Sequence, residues 1–229
     1  MQETEFDKFA DEYQNIHGSN IRISGEEPKF FAHYKIADVA ALVENPELQL
    51  NILDFGAGIG TSVPHFRSML PRARLTCLDV SAKSLDIAKQ RYSGQAEFIE
   101  FDGKVLPFSD DTFDVVFSAC VFHHIPQGEH QALLVDLRRV LKPGGLCVIF
   151  EHNPFNPLTV RAVNTCPFDE NAILIKAAGF SQHLREAGFS QVTRRYRIFF
   201  PGALRMLRFL EAYLTWLPLG AQYYVFGRK

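Results

Sequence analysis

From Asn51 onward, short apolar runs alternate with stretches of helical period. The runs are NILDFGAG, LTCLDVS (75–81), AEFIEFD (96–102), FDVVFSAC (113–120) and GLCVIFEH (145–152). Between them, apolar residues recur at helical spacing and predict helices over 60–70, 81–92 and 123–126, the last continuing at 128–141. Nearly continuous apolar strands separated by helices imply a parallel sheet covered on both faces. The crossovers between such strands are right-handed.

The flanks read differently. Residues 1–35 are polar with interleaved aromatics, and Phe6, Phe9 and Tyr13 stand three and then four apart. Gly18 and the SGEEP stretch interrupt that pattern. A longer helix is expected over about 28–44, ended by Asn45-Pro46. Residues 1–45 are therefore expected to form an N-terminal helical cap. After His152 the periodicity loosens through the proline-bearing NPFNPLTVRAVNTCPF, so 153–180 reads as an insertion. A helix follows at 181–188, with Gly188 as its C-cap candidate. Two more strand candidates, 192–200 and 221–229, flank a helix with apolar residues at 204, 207, 210, 214 and 217. Arg205, Arg208, Glu211 and Thr215 form a polar stripe on it. The expectation is a helix packed on the sheet or against a second copy; a membrane-surface helix is the alternative.

Composition narrows the class. With 229 residues, 47% hydrophobic and 22% charged, the chain is expected to fold as one domain over 1–229. Its 24 basic and 26 acidic residues leave a net charge of −2, so no global basic field favours nucleic acid. Cys77, Cys120, Cys147 and Cys166 stand far apart with no CxxC pair, and no clustered metal-ligand spacing is visible. The opening MQETEFDKFADEY is unlike a signal peptide, and no apolar run has the length of a membrane span. A reducing, cytoplasmic setting is the expectation.

The segment Asp54-Phe55-Gly56-Ala57-Gly58-Ile59-Gly60-Thr61 follows one predicted strand and precedes a helix. Glycines there let the chain turn sharply and let a ligand approach the main chain. Thr61 stands where a dinucleotide fingerprint would have Gly or Ala, so a pyrophosphate fits less well than a nucleoside with a charged amino-acid tail. Asp79 ends the second strand, where a carboxylate can accept ribose hydroxyls. Asp102, followed by Gly103, ends the third, within reach of an adenine amine. All three acids lie at the carboxyl ends of strands, the ligand edge of open α/β sheets.

These pieces resemble the class I S-adenosylmethionine-dependent methyltransferases. The resemblance runs through LDFGAGIG (53–60), LDVS (78–81), FDGKVLPFSDDTFDVVFSACVFHHI (101–125) and LRRVLKPGG (137–145). It covers about 50–152, the expected cofactor-binding core, and implies a doubly wound α/β fold. The implied sheet is seven-stranded and mostly parallel, its last strand antiparallel, with helices on both faces. By that resemblance Asp54, Ala57 and the glycines Gly56, Gly58 and Gly60 hold the methionine end of S-adenosyl-L-methionine. Asp79 with Val80 takes the ribose, and Asp102 with Gly103 lies by the adenine. Cys120 and Val121 line the methyl-donor edge. Phe55 stands where a smaller residue is commoner.

Methyl transfer is a direct displacement that rests on positioning, and a protic acceptor also needs a base. The candidates are His123, His124, Glu151 and His152, past the fourth and fifth strands, with Tyr13 and His17 in the cap. Arg22 and Arg161 are candidates for holding an anionic group. The NPFNP segment lacks the proline and the position of the amino-methyltransferases that act on nucleic-acid bases. The expected acceptor is therefore a small molecule, a glycan or a natural product, anionic or lipid-linked, with 153–180 on its side of the site and 181–229 completing the sheet. O-methylation is preferred because bases are available. The chain is expected to be a monomer or homodimer with at most peripheral membrane contact. Two rivals are a catalytically silent partner subunit, against which the three intact acids count, and an NAD-dependent dehydrogenase, against which Thr61 counts.

Overall fold

The computed structural model describes residues 26–229, so the candidates Tyr13, His17 and Arg22 lie outside the described residues. Its centre is a seven-stranded sheet of order β3-β2-β1-β4-β5-β7-β6. The strands are β1 (Asn51–Phe55), β2 (Arg74–Asp79), β3 (Glu97–Glu100), β4 (Phe113–Ala119), β5 (Leu141–His152), β6 (Ser190–Arg197) and β7 (Gln222–Arg228). The first five pair in parallel, and β7 runs antiparallel between β5 and β6. The strand order reverses beside β1, and the crevice at that switch point is where ligands of open α/β sheets bind.

The alternation of side chains along each strand builds two cores. Leu53, Phe55, Val116, Cys147 and Ile149 face one layer, which also holds the inner sides of α4 (His130–Val140) and α6 (Ala177–Glu186). Ile52, Cys77, Val115, Val148 and Phe150 face the other, covered by α1 (Pro28–Leu42) and α2 (Val63–Met69). Side chains such as Phe66, Phe122 and Phe150 are fully buried, each stabilising the fold by about 1.5–3 kcal/mol. Helix α3 (Ala82–Arg91) starts where the Ser81 hydroxyl accepts from the Ser84 backbone N–H.

The elements differ from expectation in four places. β5 begins at Leu141, because the LKPGG turn stays within the strand and produces a register shift against β4. The stretch after β5 contains a further helix, α5 (Pro157–Asn164). Asn156 caps it by accepting from the Thr159 N–H, and Pro157 occupies its first turn. Four residues ahead of the expected start, α6 begins at Ala177.

The largest departure is the apolar stretch after β6. It forms a 3-10 segment (Gly202–Leu210), kinked at Leu204, and a short α7 (Glu211–Leu214). Two members of its polar stripe face inward: Glu211 accepts from the Phe199 and Phe200 N–H groups, and Arg208 pairs with Glu26 at 2.7 Å, while Arg205 is exposed. Met206, Phe209, Tyr213 and Trp216 point outward and are each at least 70% exposed. Of the expected packings, the one on the sheet does not hold, because the loop beside β6 captures the charged residues: its N–H groups hold Glu211, and the Phe200 carbonyl with Glu26 holds Arg208. Among the described residues no helix is long and apolar enough to cross a membrane.

Candidate active site

A cavity of about 1750 Å³ opens along the carboxyl ends of β1, β2 and β4. Pockets for single drug-sized ligands run to about 1,000 Å³, so there is room for two molecules. One end is built on the turn after β1. Gly56 and Ala57 donate backbone N–H groups to the Leu78 carbonyl, which folds the turn back over β2. Gly56 has φ +76°, and a Cβ there would stand 2.3 Å from Val121 Cγ2. Gly58, at φ +52°, would meet nothing within 4 Å, so its missing side chain leaves an open cradle.

Three acids line this end. Asp79 accepts from the Gly58 N–H at 2.7 Å and the Ser81 N–H at 2.9 Å, which ties the cradle to β2. Asp54 is buried and accepts from the Ser62 hydroxyl. Burial raises its carboxyl to about 7, with neighbouring Asp79 adding to the rise and Ser62 and Lys35 opposing it. Asp102 is exposed beside Gly103, whose φ is +79°. Lys35, almost fully buried, reaches in from α1 and sets its Nζ 3.4 Å from Cys120 Sγ. Burial alone would raise the Cys120 thiol, but His152 and Lys35 bring it down to about 7.

The other end is a histidine cluster. His123 and His124 sit on a 3-10 turn (Phe122–His124) held from beneath by buried His130, whose Nε2 lies 2.9 Å from both the Phe122 and Ile125 carbonyls. His123 Nδ1 donates to Glu151 Oε2 at 2.6 Å, and Glu151 Oε1 accepts from the Phe122 N–H. Asp169 arrives from the loop before α6. The Ile173 N–H donates to the His123 carbonyl, and the Tyr223 hydroxyl donates to the Ile175 carbonyl. Asp169 Oδ1 then lies 3.4 Å from both His123 Nε2 and His124 Nε2. Burial disfavours charge on His123, but Glu151 and Asp169 outweigh it and hold the ring protonated; by the same pairing Glu151 is held ionised. His124, buried beside that cation, is lowered to about 4.

Residues 52–145 match a family model described as "Methyltransferase domain". A demethylmenaquinone methyltransferase from Thermotoga maritima is 32% identical over 66% of this chain and 61% of its own length. A ubiquinone/menaquinone biosynthesis C-methyltransferase from Desulfotalea psychrophila is 34% identical over 45% of this chain and 42% of its own. This chain spans about half the length of the curated relatives it matches. A Thermotoga maritima structure described as a possible histamine N-methyltransferase covers all of both chains at 17% identity, with a TM-score of 0.71. A methyltransferase solved with the Haloferax volcanii activator Trm112 covers 97% of this chain and 96% of its own at 21% identity, with a TM-score of 0.67. At those identities the likeness shows the fold.

Residues 52–145 are a methyltransferase domain, and the whole chain has the fold of the class I S-adenosylmethionine-dependent methyltransferases.

In this chain the expected cofactor residues Asp54, Phe55, Gly56, Ala57, Gly58, Asp79, Val80, Asp102, Gly103, Cys120 and Val121 all line the cavity. Gly60 does not: a Cβ there would press on Tyr92 and Ala88 at 3.0 and 3.1 Å, so it serves packing against α3. Phe55 fills the core against Phe101 and Phe122. Of the base candidates, His123, His124 and His152 line the cavity. Glu151 does not. It is wholly buried behind His123 and accepts from that ring, so it does not reach the acceptor space, which corrects the expectation of a base there. Arg161 lines a separate shallow pocket with Pro154 and Phe155, away from the cavity, because it projects from the outer side of α5. Asn153 of the NPFNP segment is fully buried and donates to the Pro218 and Gly220 carbonyls, locking the corner between β5 and β7.

Sequence reasoning missed Lys35, Asp169 and Gln222. Lys35 carries a weak signal, a lysine amid the apolar residues of a buried helix. Gln222 accepts from the Tyr34 hydroxyl, and its Nε2 lies 3.3 Å from His152 Nδ1. Asp169 sits in the CPFD stretch, where no periodicity marks it.

Proposed function

We propose that this chain transfers a methyl group from S-adenosyl-L-methionine to a small, largely apolar molecule carrying an ionisable hydroxyl. The observation that carries the reading is one continuous cavity with an open glycine cradle and three acids at one end and a histidine cluster at the other. The cradle fits the cofactor by the space at Gly58 and by charge. Asp54 and Lys35 form an acid and base pair for the ammonium and carboxylate of the methionine tail, Asp79 faces the ribose and Asp102 the adenine amine. The cofactor supplies an electrophilic methyl on a sulfonium.

The acceptor half is framed by Leu158, Ala162 and Val163 of the 153–180 segment and by Ile198, Phe199 and Pro201 after β6. These apolar walls exclude water and orient an apolar acceptor. His152, partly exposed in the cavity, takes the acceptor's proton at a ring nitrogen, with Gln222 fixing the ring. His123 is unsuited to that task, because its ring is already held as a cation between two carboxylates. Oxygen methylation follows directly from a hydroxyl beside His152. Methylation at the carbon next to such a hydroxyl is the second reading, favoured by the C-methyltransferase names of the relatives.

Methyl-labelled cofactor incubated with a panel of phenols, quinols and enols tests this. A labelled product whose rate falls about 100-fold or more in His152→Ala supports the reading. Turnover by that variant within twofold of wild type removes His152 as the base.

A further inference from the structure

We propose that His123 Nε2, His124 Nε2 and Asp169 Oδ1 form a binding site for one divalent transition-metal ion of the Zn²⁺ type, facing the acceptor half of the cavity. The three ligand atoms lie within 4.8 Å of one another. Two of the three separations, from each Nε2 to Asp169 Oδ1, are 3.4 Å. A tetrahedral ion with legs of about 2.0–2.1 Å to nitrogen and oxygen spans ligand edges of about 3.4 Å. Octahedral legs of that length span only about 3 Å, so the spacing suits the smaller coordination number.

The surroundings supply what such a site needs. His123 is almost fully buried, and its Nε2 has no hydrogen-bond partner of adequate geometry, although it is aimed at Asp169. Its other nitrogen donates to Glu151 at 2.6 Å, so when the ion displaces the proton on Nε2 into solvent, the neutral tautomer left behind presents that nitrogen's lone pair to it. This is the carboxylate–histidine–metal arrangement that orients ligating rings. Glu151 is itself fixed by the Phe122 N–H. Two carboxylates converge on one imidazole here, so a dication balances them where a single proton leaves one negative charge over. The histidine turn is braced by His130 and the Asp169 loop by Ile173, so the ligands are held from both sides without the ion.

All three ligand residues line the cavity, and the His152 ring lies 5.2 Å from that of His123. The fourth position of the ion therefore opens toward the acceptor space, where it would take water or an acceptor oxygen. That last role rests on the proposed function; the site itself does not.

The test is a calorimetric titration of the chelator-treated full chain with ZnCl₂ alone, without cofactor or acceptor. Co²⁺ absorption serves as a second readout of tetrahedral nitrogen and oxygen ligation. We expect one equivalent per chain, with affinity lowered by more than about 100-fold in both His124→Gln and Asp169→Asn, since loss of a direct ligand exceeds the 10- to 100-fold typical of an outer-shell partner. Both side chains are only partly buried, and circular dichroism checks that the variants fold. S-adenosylhomocysteine binding, measured separately, reports the cofactor end whatever the metal result. No stoichiometric binding to wild type, or equal affinity in folded variants, overturns the site. Co²⁺ bands of thiolate character would overturn it too, since they would assign the metal to cysteine.

Discussion

The two ends of the cavity are built in opposite ways. The cradle end comes from contiguous sequence: the glycine-bearing turn directly after β1 shapes it, and one acid at the end of each of β1, β2 and β3 or just beyond lines it. Much of its work is done by backbone, through positive φ at Gly56 and Gly58 and through N–H groups held by Leu78 and Asp79. The histidine end is made from side chains brought together across the fold. His123 follows β4, Glu151 and His152 end β5, Asp169 lies before α6 and Gln222 opens β7. A turn that needs glycine shows itself in sequence. A cluster assembled by tertiary contacts leaves no spacing to read.

That contrast should show in mutants, as stability loss at one end and lost cofactor affinity at the other. The largest effect is expected from Glu151→Ala, which strips the buried His123 cation of its partner. Urea denaturation should report a loss of about 3–5 kcal/mol, while the affinity of the folded fraction for S-adenosylhomocysteine stays within twofold. Equal stability would mean the ion pair contributes nothing.

Gly56→Ala comes next, since its Cβ would collide with Val121 at a φ of +76°. The strain of a left-handed residue and the overpacking together should cost about 2–4 kcal/mol and remove measurable cofactor binding. Gly58→Ala sharpens the distinction. Its Cβ meets no protein atom, so stability should fall only by about 1–2 kcal/mol from backbone strain. The affinity should fall more than the stability does, because the methyl group enters the ligand's space. The reverse ranking would place the ligand elsewhere.

The smallest effect is one of pH. Asp54 titrates near 7 in the free protein because it is buried. An ammonium ligand needs its ionised form, so S-adenosylhomocysteine affinity should be flat above about pH 7. Below that it should fall by up to tenfold per unit as the carboxyl protonates. Asp54→Asn should bind more weakly and without that slope. An unchanged slope in the variant would assign the titration to another group.

Much of the core was legible from residue pattern alone. The five parallel strands from Asn51 to His152 appeared as apolar runs, and the acids at their ends appeared as a set. The last strand's antiparallel pairing came through the family resemblance. Two things resisted. The stretch after β5 hides α5 because its start is signalled by one Asn-Pro pair amid other prolines. For the apolar segment 199–220, sheet packing, second copy and membrane surface were all open readings, and only the first is contradicted by its exposed apolar face. Periodicity gives the two faces of a helix but not which partner each meets, and here Glu211 and Arg208 found inward partners. Glu151 was seen as a candidate base, but only the register of β5 beside the 122–124 turn reveals that it stands behind His123.

The most direct test of the cofactor end is calorimetric titration with S-adenosylhomocysteine of wild type and Asp102→Ala. Asp102 is exposed, and its recorded protein hydrogen bond is from the Lys104 N–H, so the variant should fold as wild type does. We expect one-to-one binding to wild type, weakened by about 1.5–3 kcal/mol in the variant, as for the loss of a charged hydrogen-bond partner. Equal affinity in the two proteins, or no saturable binding to wild type, would contradict it.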